Sequence, residues 1–250
     1  MSLTGTGVII GFVDTGIDYT HPAFRKTDRT TRLLAIWDQT DRAGAPPAMF
    51  PYGSEYTKEQ IDEALRSENP LAVVPAADPD GHGTYLAGVA AGTSDEEQGF
   101  IGAAPDADLI VVRLKPAKQY LRDFFFLSPG ATAFQENDIM AGIRFLTQKA
   151  LQYQKPLVIC LGLGSNQGSR SASLPLSFSL PRLGQIQGVT PVVAAGNEAG
   201  RAHHYRGSVS SSDGPVNVEI LVPEGSAGFT MELWGQTPQL FSVGFRSPVG

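Results

Sequence analysis

The stretch Asp80-Gly81-His82-Gly83-Thr84-Tyr85-Leu86-Ala87-Gly88-Val89-Ala90-Ala91-Gly92 constrains this chain more than any other. Turn-forming polar residues pass without a break into small and apolar ones suited to a buried helix. A polar side chain at such a junction sits at the mouth of a helix whose body is locked in the core. Here it is His82, the side-chain type whose ordinary pKa lets it take and return a proton near neutrality. Gly81 and Gly83 let backbone pass close beside it. The helix N-terminus is expected to lower the pKa of His82 and keep it neutral, ready to act as a base. Taken alone, the stretch reads first as a buried helix capped by a histidine. The rest of the chain has to change that.

Residues 7–13 are a short, continuously apolar run, the pattern of a strand buried on both faces. It ends in Asp14-Thr15-Gly16-Ile17-Asp18 and His21-Pro22. Residues 107–114, 157–161 and 190–195 repeat the strand pattern. Between them, Ile139, Ile143, Leu146 and Ala150 form one helical stripe, stopped by Pro156. A second helix is marked by Leu176, Leu180, Leu183 and Ile186, with a kink at Pro181 and an end at Gly188. Strand and helix alternating at this spacing predict an α/β fold, a parallel sheet between helices. Residues 25–79 read as an inserted loop region beside the core, with a strand at 33–38 and a capped helix at 57–65. Phe124-Phe125-Phe126-Leu127 suits core or an exposed patch, and core is the expectation.

Beyond Arg206 the pattern changes. Residues 216–222 and 229–234 alternate at period two, and 240–245 follow. That predicts the start of an antiparallel β unit over 207–250, after a core domain over 1–206.

The net charge of −6 argues against nucleic acid as the main partner. No stretch approaches the ~20 apolar residues of a membrane-spanning helix. A single cysteine, Cys160, excludes an internal disulfide and leaves the compartment open.

Three polar groups emerge at strand or helix ends of one parallel sheet: Asp14, His82 and Asn197. An orienting acid, a histidine base and an amide donor for an oxyanion are the helpers of nucleophilic acyl transfer. Two rivals are weaker. Asp14-Thr15-Gly16 also marks aspartic peptidases, which need two such carboxylates, and this chain has one Asp-Thr-Gly. The adjacent His203-His204 pair lacks metal-ligand spacing.

The residues also carry a family resemblance. The segment 9–18 with His21-Pro22 resembles that around the catalytic aspartate of the subtilisin-like serine proteases. Gly81-His82-Gly83-Thr84 with Ala87-Gly88 resembles their histidine segment, and residues 193–198 their oxyanion-hole segment. The order Asp then His on an α/β fold is also theirs. Ile36-Trp37-Asp38-Gln39 and residues 52–57 resemble the spore-germination (Csp) branch, which carries a β jelly-roll insertion after the oxyanion asparagine.

The resemblance implies a subtilisin-like three-layer fold and a serine endopeptidase acting on peptide or protein substrates. Asp14, His82 and Asn197 would be its catalytic residues. Gly162, Leu163, Gly164 and Ser165 would edge the substrate cleft, with Gly162 where many relatives carry serine. Calcium, and an extracellular, cell-envelope or spore context, are implied by the resemblance alone. The family's Gly-Thr-Ser-x-Ala-x-Pro nucleophile segment is missing. Gly92-Thr93-Ser94 runs into Asp95, and Gly225-Ser226 lacks the threonine and proline. The serine is therefore expected outside this chain, in a further part of its own domain, and the fragment alone is expected to be inactive. The alternative is an inactive pseudoprotease used for binding or signalling.

Overall fold

A computed structural model describes residues 3–247, except 96, 98, 170, 172, 211, 213 and 237. Its centre is a sheet of six strands: β1 (Ile9–Asp14), β2 (Leu33–Asp38), β3 (Ser54–Thr57), β4 (Asp108–Arg113), β5 (Leu157–Leu161) and β6 (Val189–Val193). The helices around it are α1 (Lys58–Arg66), α2 (Pro70–Val73), α3 (His82–Ala91), α4 (Gln119–Phe124), α5 (Glu136–Tyr153) and α6 (Pro175–Leu183). The strand order across the sheet is β3-β2-β4-β1-β5-β6. All neighbours are parallel except the β2–β3 pair. The sheet expected from the strand–helix alternation is therefore present, with one antiparallel edge. Residues 25–79 supply two of its strands, and β2 is buried along its whole length.

β1 runs between β4 and β5, so every one of its residues is buried. Its side chains alternate between the two faces, as the pleat requires. Ile10 and Phe12 join Ala87 and Ala91 of α3, together with Ile61 of α1. Ile9 and Val13 join Ile143 and Leu146 of α5 on the other face. α5 lies close against the sheet because glycines stand at the contact, Gly11 on β1 and Gly142 on the helix. A Cβ at Gly11 would stand 2.7 Å from Leu146 Cδ1, and one at Gly142 would stand 2.9 Å from Val13 Cγ1.

α1 begins where its sequence says: Thr57 and Gln60 form a reciprocal capping box. The far end of α3 is held by a buried guanidinium. Arg32, 4% exposed, donates to the carbonyls of Ala107 and Ala23 at 2.8 and 2.7 Å, and to that of Ala91.

Three expectations are corrected. The aromatic run is not core: α4 buries none of its residues, and Phe124 and Phe126 are largely exposed. The central strands it would have to pack on are already covered by α3 and α5. α6 closes at Gly184, earlier than Gly188. Gly188, at φ +82°, instead makes the turn into β6. The strands expected at 216–222, 229–234 and 240–245 are not formed among the described residues. A period-two segment needs a hydrogen-bonding partner and a second layer over its apolar side. Here Leu221 and Leu240 stand 90% and 97% exposed.

Candidate active site

β1 ends at the carboxyl edge of the sheet, where ligands of open α/β folds bind. Its last residue, Asp14, is 1% exposed. α3 packs across β1 and begins with His82, whose Nδ1 lies 2.7 Å from Asp14 Oδ1. The Thr15 amide donates to the same oxygen at 2.8 Å. A carboxylate only accepts, so the imidazole proton sits on Nδ1 and Nε2 keeps its lone pair. The His82 side chain is 42% exposed. One nitrogen is thus fixed to a buried acid, and the ring can reach solvent.

The expected lowering of the His82 pKa is overturned. The hydrogen bond that His82 donates to Asp14 raises it, and the charges of Asp14, Asp80 and Asp78 add to the effect; partial burial opposes without winning. A direct bond to a buried carboxylate favours the charged imidazolium and so raises the pKa. A folded-state pKa above the unfolded one stabilises the fold below the unfolded value, and that contribution fades as pH rises through the folded value. Basic function runs the other way, because only neutral His82 can accept a proton. An NMR titration of the His82 ring is expected to give a midpoint above that of a free histidine. A midpoint at or below the free value would remove the Asp14 bond from the account.

The two loops meet with little room to spare. A Cβ on Gly83 would stand 2.3 Å from the Gly16 carbonyl oxygen and 3.2 Å from Asp14 Cβ. Gly16, at φ +137°, has its own back against the Ala77 carbonyl, 2.5 Å from where a Cβ would be. The Gly83 amide donates to Thr15 Oγ1 at 2.9 Å. Thr15 Oγ1 in turn donates to Asp78 at 2.8 Å, and Thr84 also binds Asp78. Reading the sequence singled out none of Thr15, Asp78 and Thr84. A capping signal would have pointed to Asp80, the acid nearer the start of α3, rather than to Asp78.

Gly162 follows β5 directly and lies beside the pair. A Cβ there would lie 3.2 Å from both Asp14 Oδ2 and His82 Cε1, and 2.2 Å from Leu86 Cδ1. Leu86 takes the space a side chain at 162 would occupy. Asp14 Oδ2 has no hydrogen-bond partner among the described residues. Leu163 is half-buried and packs on the α5 side, while Gly164 and Ser165 are exposed. Asn197 is exposed in the loop after β6. Its neighbour Gly196 lies 4.0 Å from a Cβ built on Gly164. The structure thus brings Asp14 and His82 into contact and places Gly162 beside them with no room for a side chain. It sets Asn197 at the same edge, in the loop of the strand beyond β5, about 10 Å along the sheet from β1 by strand spacing.

His203 pairs with Glu198 rather than with His204 or His82. No group of three or more His, Cys, Asp or Glu among the described residues could hold a metal ion. The calcium implied by resemblance therefore has no carboxylate cluster to bind it there.

A mainly parallel α/β sheet with a histidine–carboxylate pair at its carboxyl edge is an arrangement that hydrolases activating a nucleophile through histidine share. The chain belongs to the subtilase family, whose profile matches residues 5–244. It is 25% identical to a subtilisin of Bacillus sp. (strain TA39), over 85% of this chain and 38% of that protein. It is also 25% identical to the subtilisin-like protease PopC of Myxococcus xanthus, over 92% of this chain and 42% of the relative. The structure of the CspB protease of Clostridium perfringens is similar at 35% identity and a TM-score of 0.68. The match covers 80% of this chain and 39% of that one. This likeness supports the Csp-like branch. The chain spans well under half the length of these relatives.

Proposed function

We propose that this chain supplies the acid–base half of a serine endopeptidase site, whose nucleophile is a serine outside residues 1–250. The observation that carries the reading is the 2.7 Å bond from His82 Nδ1 to the buried Asp14 carboxylate. His82 Nε2 takes the proton of the attacking serine, and Asp14 holds the ring and favours the imidazolium that forms. Asn197 donates to the oxyanion of the tetrahedral intermediate. His82 then returns the proton to the leaving amine. The substrate chain lies extended along Gly162 to Ser165 and pairs as an added strand.

Two serines within the chain support an outside nucleophile by where they lie. Ser94 follows α3, whose ten residues separate it from His82 by about 15 Å of helix. Ser226 bonds the Gly228 carbonyl within its own turn.

The test is to extend the chain through its natural continuation and expose it to a serine-reactive phosphonate, alongside a peptide-cleavage assay. Labelling of the extended protein and none of residues 1–250 is expected. A well-folded extended protein that stays unlabelled would leave the inactive binding or signalling reading in its place. In the active form, Asn197→Ala is expected to lower kcat about a hundred- to thousandfold with little change in KM. An unchanged kcat would reject the oxyanion role.

A further inference from the structure

We infer that Asp78 is a positioning residue for the Asp14–His82 pair, clamping the loop that carries the acid to the first turn of the helix that carries the base. The inference rests on the proposed reading of that pair.

The need for a clamp follows from the helix itself. The residue preceding α3 is Gly81, in the left-handed conformation at φ +86° and with no side chain to cap the helix. The first amides of α3 would be unsatisfied without outside partners. They find them across the chain: the Gly83 amide in Thr15 Oγ1, and the Thr84 amide in Asp78 Oδ2 at 2.8 Å. The same Oδ2 accepts the Thr84 hydroxyl at 2.6 Å. Asp78 Oδ1 accepts the Thr15 hydroxyl at 2.8 Å and the Gly81 amide at 3.0 Å. One carboxylate thus receives four donors, one from the residue after Asp14 and three from residues flanking His82. α3 meets β1 through small residues, Gly83 and Ala87, which permit close approach.

Charge matters as well as shape. Burial pushes the Asp78 carboxyl upward, but the bonds from Thr84, Thr15 and Gly81 outweigh it and hold the group below the usual carboxylate range. An asparagine there has one acceptor oxygen and one NH2. A hydroxyl can turn to accept from the NH2, but the amide of Gly81 or of Thr84 cannot. The Asp78→Asn side chain therefore keeps one side of the clamp and repels the other. Asp80 is a natural control. It is also acidic, closer to His82 in sequence and exposed, and accepts the Thr132 hydroxyl at 3.1 Å.

The experiment follows the low-field proton resonance of His82 Nδ1–H in residues 1–250, below and above the ring's titration, with far-UV dichroism to check the fold. Asp14→Asn identifies the resonance. Asp78→Asn is expected to lose or broaden it and to lower the His82 midpoint, while Asp80→Asn keeps the resonance. Loss in Asp14→Asn with a sharp resonance in Asp78→Asn overturns the clamp alone. Equal effects of Asp78→Asn and Asp80→Asn also overturn it, since charge near His82 would then explain everything. A wild-type spectrum without the resonance overturns the pair and the clamp together. If Asp78→Asn does not fold, Thr15→Val and Thr84→Val each remove one arm. Both are expected to broaden the resonance, and sharp signals in both overturn the clamp.

Discussion

Replacing Asp14 with asparagine in the catalytically complete protein is expected to lower turnover about ten-thousandfold. The reason lies in how the donors divide. The Thr15 amide and His82 Nδ1 both reach Oδ1, while Oδ2 is buried with no partner among the described residues. An asparagine that keeps its oxygen at Oδ1 keeps both bonds. It then buries an NH2 at the Oδ2 position, where the carboxylate has no hydrogen-bond partner among the described residues, and it lacks the charge that favours the imidazolium. An asparagine that flips presents NH2 to Nδ1, which must then accept, so the proton moves to Nε2 and the base is lost. Both arrangements fail, by different routes. Far-UV dichroism separates them from a mere loss of folding, and in the folded chain the His82 midpoint is expected to fall in residues 1–250, since the bond to Asp14 is the largest cause of its upward shift. Turnover within tenfold of wild type would defeat the acid–base assignment.

The second large effect is structural and centres on one hydrogen atom. Gly83→Ala is expected to destabilise the fold by about 1–3 kcal/mol and to open the His82–Asp14 bond. Alanine is the better helix former by about 1 kcal/mol, so propensity alone favours the change. The clash decides the sign. The new Cβ would meet the Gly16 carbonyl oxygen at 2.3 Å, and that oxygen is backbone in a loop itself pressed against Ala77. The helix start must lift, and His82 lifts with it. Gly88→Ala, in the same helix, has nothing within 4 Å of its Cβ. It is expected to stabilise by about 0.5–1 kcal/mol. Thermal melts of the two variants check the pair, and a Gly83→Ala protein as stable as Gly88→Ala would contradict the packing described.

Acid is expected to weaken the same junction. The depressed Asp78 carboxyl contributes stability that is present above the ordinary carboxylate pKa and is lost as pH falls through its lower folded value. His82 contributes in the opposite window, so the loop junction is tightest between the two titrations.

How much of this was legible in the residues differs by kind. The apolar runs of β1, β4 and β5 and the capping box of α1 are local signals, and the elements formed where those signals stood. Phe124 to Leu127 misled because hydrophobicity states a preference for burial, while only the packing of other elements decides whether a surface is left to meet it. Residues 216–245 misled for a related reason. Alternation prepares a strand, but pairing requires a partner and a covering layer.

The sequence by itself determined which chemistry is possible. A histidine at a glycine-flanked helix start and an aspartate at the end of a buried strand are local features, set by residue type and by the periods of helix and strand. Only the tertiary structure decided that these two touch. It also decided that Gly162 closes on them, that the histidine pKa moves up rather than down, and that Asp78 holds both loops. Those outcomes depend on distances of a few ångströms between residues far apart in the chain, 68 positions for His82 and Asp14. Hydrogen bonds and charge interactions at that range respond to packing, which no local period encodes. His82 meets its acid because of where β1 ends beneath it.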